Sequence, residues 1–193
     1  MSTIDQVGRN ISQAFDVILA TYKNLDLLFT EMDLEAKDFG YISLTPKFLR
    51  WKSDNESSGW LINDFIKLYQ REGELSPSEE TNQEIGTIYG VEVSFEEDFP
   101  KLWIIRYAFD FSYWNRMPAI SDHGVFYYSL AENSAFIIKE NDNMLISLPV
   151  DDRVKKRYWG IVKAVAKSIP LVKVNNRDAI RNEIFAAFES LPE

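Results

Sequence analysis

The stretch 101–111 constrains the fold of this chain more than any other, because it is apolar on both faces of an extended chain. It reads Lys-Leu-Trp-Ile-Ile-Arg-Tyr-Ala-Phe-Asp-Phe, with two charges inside the run. Successive side chains of a β-strand point to opposite sides of the sheet, and here both sets are mainly apolar. A strand of this kind is buried on both sides. We therefore expect it in the middle of a sheet.

A second strand pattern precedes this stretch and predicts a β-hairpin. Residues 85–95 alternate between two sets of side chains, and the five residues 96–100 form a loop that returns the chain into 101–111. We predict that Phe95 faces Lys101, which places the odd-numbered residues of both strands on one apolar face. The long N-terminal helix is expected to pack on that face.

Apolar residues that recur every three or four positions predict helices in several parts of the chain. The first helix spans 3–37 and would be about 50 Å long, so part of it projects toward a partner or bends. Two arrangements are open: packing across its own sheet, which we favour, and a homodimer through this helix. Further helices are predicted at 61–72, from Asp151 or Asp152 to 169, and at 176–191.

The fold class that follows is α+β, in a single domain covering 1–193. We predict an antiparallel sheet of about five or six strands, with the long N-terminal helix and two C-terminal helices packed on it. Besides the hairpin, short extended segments are predicted at 41–44, 48–52, 125–130, 135–140, 144–148 and 171–174.

The charge of the chain bears on its partners. The net charge is −9; residues 1–150 carry 12 basic and 24 acidic side chains, whereas 151–193 carry 9 basic and 6 acidic. Most of the surface should repel phosphate backbones, so we predict no nucleic-acid partner. Cysteine is absent, which excludes disulfides and thiolate sites. Without a signal-like or membrane-spanning run, we expect a cytoplasmic location and no membrane partner.

One face of the hairpin predicts a ligand site. In the expected register, Gly90 lies opposite Arg106, and Glu92 is diagonal to that arginine. Either Arg106 or Arg116 could hold a small anionic ligand by bidentate contacts, while aromatic side chains form the walls. The alternative is a partly buried ion pair without a ligand. The predicted ligand-binding residues are Glu92, Arg106, Asp110, Trp114, Arg116, His123 and Tyr127.

No strong catalytic motif occurs in the sequence. His123 is the single histidine, which excludes a two-histidine metal site, and its Asp-His-Gly setting is also typical of a turn. We predict no metal site and no cofactor. The first functional hypothesis is a non-catalytic binding or protein-interaction domain whose acidic surface suits a basic protein partner. The alternative is a small-ligand or hydrolytic enzyme that uses Asp110 or His123 as a base.

Overall fold

One antiparallel sheet organises the molecule. The structure, a computed structural model, describes residues 3–45, 47–74, 85–131, 133–141 and 144–192. The strands within these ranges are β1 (Tyr41–Ser43), β2 (Asp64–Arg71), β3 (Ile85–Ser94), β4 (Lys101–Asp110), β5 (Phe136–Asn141), β6 (Met144–Pro149) and β7 (Ile161–Pro170). Their spatial order is β1-β2-β3-β4-β7-β6-β5. The α+β class is confirmed, with seven strands in the described ranges rather than five or six.

Strand β4 is the fourth of seven and therefore central, as its doubly apolar sequence predicts. The predicted hairpin partner is also confirmed, but the register is wrong by one residue. Ser94 lies opposite Lys101, and Tyr89 lies opposite Arg106. Because side chains alternate, a slip of one residue exchanges the faces of one strand relative to the other. Odd residues of β3 therefore share a face with even residues of β4.

Two glycines explain why this register is favoured. A Cβ atom on Gly90 would lie 2.8 Å from Cε2 of Tyr107, and one on Gly86 would lie 2.0 Å from Cε2 of Phe111. Each glycine therefore makes room for an aromatic ring from the neighbouring chain segment. In the predicted register these glycines were expected to leave space around Arg106, which is wrong.

Helices cover both faces of the sheet. They are α1 (Thr3–Asp38), α2 (His123–Tyr127), α3 (Asp152–Arg157), α4 (Arg177–Ile180) and α5 (Ala186–Ser190), with a π-helical segment Arg181–Phe185 between the last two. The second half of α1 and the C-terminal helices pack on one face, termed the α1 face, through core residues such as Phe29, Tyr89, Ile104 and Phe188. The other face, termed the α2 face, packs through Ile105, Tyr107, Phe109 and Phe126.

The predicted helix at 61–72 is wrong, because residues 64–71 form β2. Nearly all of β2 is buried, on both faces. When both faces of a strand carry apolar side chains, the sequence no longer alternates between apolar and polar residues. The spacing of its apolar residues can then resemble that of a helix. The same error placed Asp64 and Lys67 on a solvent-facing helix side, whereas both are buried.

The predicted helix that begins at Asp151 or Asp152 is correct only at its start. The Asp151 carboxylate accepts a hydrogen bond from the Val154 amide at 2.9 Å, but the helix ends at Arg157. Trp159 and Gly160 have positive φ angles of 56° and 83°, which turn the chain out of the helix and into β7. A Cβ atom on Gly160 would lie 2.4 Å from the Asp110 carbonyl oxygen, so only glycine fits here.

Smaller differences concern the short segments. The predicted strand 125–130 is wrong, since it contains most of α2 and a turn, and 171–174 contains a 3-10 helix instead of a strand. The strands predicted at 135–140 and 144–148 are confirmed as β5 and β6, and the helical segment predicted at 176–191 is confirmed. In the ranges that the structure covers, no helix combines the length and the apolar character that a membrane span requires.

Candidate functional site

The register separates two residues that the sequence placed together. Glu92 lies on the α2 face, whereas Arg106 lies on the α1 face between Tyr89 and Val165. Arg106 is close to Glu74: burial raises the pKa of Glu74, and the positive charges of Arg71 and Arg106 oppose that rise. The predicted pocket that joins Glu92, Arg106 and Asp110 on one sheet face is therefore not formed.

Asp110 has a structural role at the end of β4. Its carboxylate accepts hydrogen bonds from the Ser112 hydroxyl at 2.6 Å and from Lys155 Nζ at 2.9 Å. Burial alone would raise the pKa of Asp110, but the hydrogen bonds from Ser112 and Lys155 outweigh burial and lower the pKa. A carboxylate engaged in this way caps the following turn and is poorly suited to act as a general base.

Trp114 and Arg116 also belong to the framework rather than to a pocket around Glu92. The Trp114 ring lies 5.2 Å from Phe109 and 5.3 Å from Trp159, inside the core of the α2 face. Arg116 makes a bidentate pair with Asp122 at 2.5 and 2.8 Å, and its guanidinium lies 4.9 Å from the Trp159 ring. The predicted anion site at Arg106 or Arg116 therefore does not form beside Glu92.

Three predicted residues do come together, around an aspartate that the sequence analysis missed. Asp64, the first residue of β2, lies within 2.8 Å of His123 Nε2 through its Oδ1 atom. The Tyr127 ring stacks on His123 with centroids 5.0 Å apart, and its hydroxyl donates to Glu96 Oε2 at 2.8 Å. Glu92 completes this group from β3, one diagonal step from Asp64 in the register.

Glu92 and Asp64 form a buried pair of acids. Their exposed fractions are 5% and 3%. Burial raises the pKa of Glu92 well above its usual range, and the charge of Asp64 and a hydrogen bond between the two carboxyl groups raise it further. Each of these effects favours the protonated form of the Glu92 carboxyl group.

The two carboxyl groups still have free acceptor capacity. Within the part of the chain that the structure describes, neither Glu92 Oε2 nor Asp64 Oδ2 receives an N–H or O–H donor from another group. The Tyr107 hydroxyl, buried nearby, reaches no partner at ordinary hydrogen-bond distance among the described residues, although Ser129 lies close enough to oppose the rise of its pKa. Burial, followed by the negative charges of Glu92 and Asp64, raises the pKa of Tyr107. A native interior rarely leaves several polar atoms unsatisfied at one place.

A cavity of about 140 Å³ opens beside Glu92. Its lining combines carboxylates and aromatic rings from the hairpin and from the end of α2: Glu92, Ser94, Glu96, Glu97, Trp103, Tyr127, Leu130 and Ala131. Glu97 at the rim is paired with Lys101 Nζ at 2.5 Å. The lining is therefore acidic and suits a positively charged group rather than the predicted anion.

Among the residues described, no set of three or more histidine, cysteine, aspartate or glutamate side chains is placed to hold a metal ion. The site joins the sequence-predicted Glu92, His123 and Tyr127 with Asp64, Glu96 and Tyr107, which the sequence analysis did not select. Asp64 was missed because it begins a strand that had been assigned to a helix.

Comparison of the chain with protein-family models, with curated protein sequences and with solved structures found no match.

Proposed function

We propose that the protein is a non-catalytic interaction protein, and that two copies pair through the N-terminal half of α1. We call residues 3–22 of α1 the arm. Its first fifteen residues, 3–17, are all exposed, and the apolar side chains of Ile4, Val7, Ile11 and Phe15 keep 53–83% of their surface in contact with water. This uncovered stripe is the observation that carries the proposal.

The stripe continues the surface by which α1 packs on the sheet. At 100° per residue, ten side chains lie within an arc of about 100°. They are Ile4, Val7, Ile11, Phe15, Ile18, Tyr22, Leu25, Phe29, Met32 and Ala36. The last four are buried against the sheet, whereas the first four are exposed. The sheet therefore buries this apolar face in the second half of α1, whereas the first half requires another molecule to bury it.

The arm is a poor candidate for an isolated helix in water. Helices gain most of their stability in proteins from packing an apolar face, and short isolated helices are marginal. The arm also contains Gly8, Asn10, Ser12 and Thr21, which are weak helix formers. A covering partner would supply the missing stabilisation.

A second copy fits the arm by charge. Residues 3–22 hold Asp5, Arg9 and Asp16, so the arm is nearly neutral although the whole chain has a net charge of −9. These charges lie on the side of the helix away from the stripe, and the flanking positions are uncharged. In an antiparallel pair the two acidic bodies lie at opposite ends, about 30 Å apart along the arms, which limits their repulsion.

The stripe is also nearly self-complementary in the antiparallel sense. With Ile11 of one copy beside Phe15 of the other, Ile4 meets Tyr22, and Val7 meets Ile18. The N-terminal end of each arm then lies beside the C-terminal end of its partner's arm. There, Tyr22, Phe48 and Phe65 help to line a groove of about 330 Å³. A closed pair of this kind is isologous, as most dimers are.

The acidic surface supports a second kind of contact within the same proposal. A net charge of −9 favours association with a basic protein partner, as the sequence analysis predicts. The cytoplasmic location stays a prediction. The alternative hypothesis of an enzyme depended on a pocket formed by Glu92, Arg106 and Asp110, and these residues do not share a face of the sheet.

The test is the oligomeric state of two matched variants. Ile11→Asp places a carboxylate in the stripe, whereas Val17→Asp makes the same chemical change at an exposed position outside it. In sedimentation equilibrium we expect the wild type and Val17→Asp to be dimers and Ile11→Asp to be a monomer with a weaker helical circular dichroism signal. A monomeric wild type at every concentration, or a dimeric Ile11→Asp, would contradict the proposal.

Disulfide cross-linking tests whether the two arms are antiparallel. Because the chain has no cysteine, single cysteines can be introduced without background. Oxidation of a mixture of Val7→Cys and Ile18→Cys should give mainly the mixed disulfide if the arms are antiparallel. Mainly homodisulfides would indicate parallel arms and refute the antiparallel arrangement.

A further inference from the structure

We infer that the cavity beside Glu92 binds the head of an organic cation, a guanidinium or ammonium group on a short alkyl chain such as an arginine or lysine side chain. This inference does not depend on pairing of the arms. It rests on the unsatisfied carboxyl group of Glu92, which lines the cavity, on the aromatic walls of the cavity and on its size.

One carboxyl group that lines the cavity lacks a hydrogen-bond donor. Glu92 is 95% buried and lines the cavity, yet its Oε2 atom receives no hydrogen bond from another group within the described ranges. A buried acceptor of this kind costs free energy unless something supplies a donor. A guanidinium or ammonium group supplies several N–H donors and a compensating charge.

The walls suit a cation rather than any small polar molecule. Trp103 lies opposite Glu92 in the sheet, and Tyr127 lines the same cavity from α2. Both rings can attract a cation through their π faces. Glu96 and Glu97 add negative charge at the rim, although each already accepts one hydrogen bond, from Tyr127 and Lys101 respectively.

The volume limits the ligand to a small group. Typical pockets for drug-sized molecules occupy about 300–1,000 Å³, whereas this cavity holds about 140 Å³. The head of one side chain or a small alkylamine fits this space, and a larger ligand does not. A basic protein partner, as proposed above, would carry such heads on its surface.

Because the pKa of Glu92 is raised in the free protein, binding of a cation is expected to be coupled to loss of a proton from Glu92 at pH values below that pKa. Four titratable groups surround Glu92, namely Asp64, Glu96, Tyr107 and Tyr127, and His123 contacts Asp64 behind them. A cation beside Glu92 stabilises the carboxylate, so the proton leaves to solvent as the ligand enters. Affinity should therefore rise with pH below the folded-state pKa, by up to about tenfold per pH unit.

The experiment uses the full chain with three probes of similar shape. Propylguanidinium and propylammonium are cations, whereas propylurea is a neutral analogue of the first. Titration calorimetry in buffers of different ionisation enthalpy reports both affinity and proton release. We expect both cations to bind at least about tenfold more tightly than propylurea and to release a proton. Equal binding of the urea, or cation binding without proton release, would overturn the inference.

Variants assign the binding to this cavity. Glu92→Gln imitates the protonated acid and should fold normally, yet it should lose about tenfold in cation affinity together with the proton release. Glu72→Gln removes the same charge from an exposed position at the far end of β2 and should bind as the wild type does. Trp103→Leu should weaken cation binding without abolishing proton release. Unchanged binding by Glu92→Gln would refute the site.

A peptide ligand distinguishes a protein side chain from a free small molecule as the source of the cation. Acetyl-Gly-Arg-Gly-amide presents the same guanidinium on a peptide. Binding of this peptide at the affinity of propylguanidinium or better would support a protein side chain as the ligand. Binding of propylguanidinium alone would support a free small amine. Failure of both would overturn the inference.

Discussion

Two buried ionisable side chains on adjacent strands lie in opposite electrostatic surroundings. Lys67 of β2 lies on the α1 face, fully buried, and its Nζ atom donates to Asp33 Oδ2 at 2.5 Å. Glu92 of β3 lies on the α2 face, and the charge that acts on it most strongly is that of a second acid, Asp64. The first charge has a partner of opposite sign, whereas the second has one of the same sign.

The difference separates what folding requires from what folding does not explain. On the α1 face, Asp33 also accepts from the Tyr69 hydroxyl at 3.0 Å, so the polar group is internally satisfied. On the α2 face, among the described residues, Glu92, Asp64 and the Tyr107 hydroxyl each keep an atom without a donor or acceptor. A satisfied network stabilises the fold, whereas an unsatisfied buried group calls for an explanation such as an ordered water, an ion or a ligand.

The largest expected effect comes from breaking the satisfied group. Asp33→Ala leaves the Lys67 ammonium buried without its partner and should cost about 3 kcal/mol of unfolding free energy, the low end for breaking a buried pair because Asp33 is partly exposed. Chemical denaturation measures this cost. Burial lowers the pKa of Lys67, and Asp33 opposes that effect, so the variant should also favour a neutral lysine.

Asp26→Ala is the matched control for this change. Asp26 also lies on α1 and approaches Lys47 at 3.8 Å, but both side chains are well exposed. Its removal should cost less than about 0.5 kcal/mol. Similar costs for the two alanine variants would mean that the Lys67 pair does not differ from a surface pair, and the contrast between the faces would fail.

A smaller effect compares one tyrosine from each face. Tyr69→Phe removes a hydroxyl that donates to Asp33 and should cost about 1–2 kcal/mol. Tyr107→Phe removes a hydroxyl that has no partner at ordinary distance in the described ranges and only a minor interaction with Ser129, and this change should be nearly neutral. Urea unfolding of the two variants gives both values. An equal loss in Tyr107→Phe would show that its hydroxyl is satisfied and would remove it from the unsatisfied groups around Glu92.

The sequence predicted those parts of the fold that depend on strong local patterns. The central position of β4 followed from its two apolar faces, and α1 followed from a long stripe with a regular period. The hairpin was found, but its register was not. Register depended on how Gly86 and Gly90 accommodate the Phe111 and Tyr107 rings, which is a contact between chain segments that alternation alone does not specify.

The sequence analysis selected only part of the candidate site, and burial explains why the other residues were missed. Glu92, His123 and Tyr127 were selected and do come together, whereas Asp64 was assigned to the polar side of a helix. A strand buried on both faces has no clear period, so its polar residues carry no signal of where they point. Asp110, Trp114 and Arg116 were selected because they are polar or aromatic near the end of β4, and local structural contacts engage them instead.

Titration of Glu92 also has a consequence for stability, with a definite sign. The folded-state pKa of Glu92 lies above its unfolded value of about 4.3. The stability that Glu92 contributes is therefore full below about pH 4.3 and is lost as the pH rises through the folded-state pKa, by about 1.4 kcal/mol for each unit between the two values. Glu92→Gln should not show this loss.

The most direct test of the acid pair as a ligand site is the carboxyl carbon-13 chemical shift of Glu92, followed by NMR as the pH is raised. Glu92→Gln assigns the resonance. We predict a midpoint well above the ordinary value of about 4.3 in the free protein, and a lower midpoint when propylguanidinium is present. A midpoint near the ordinary value that the cation leaves unchanged would contradict the account.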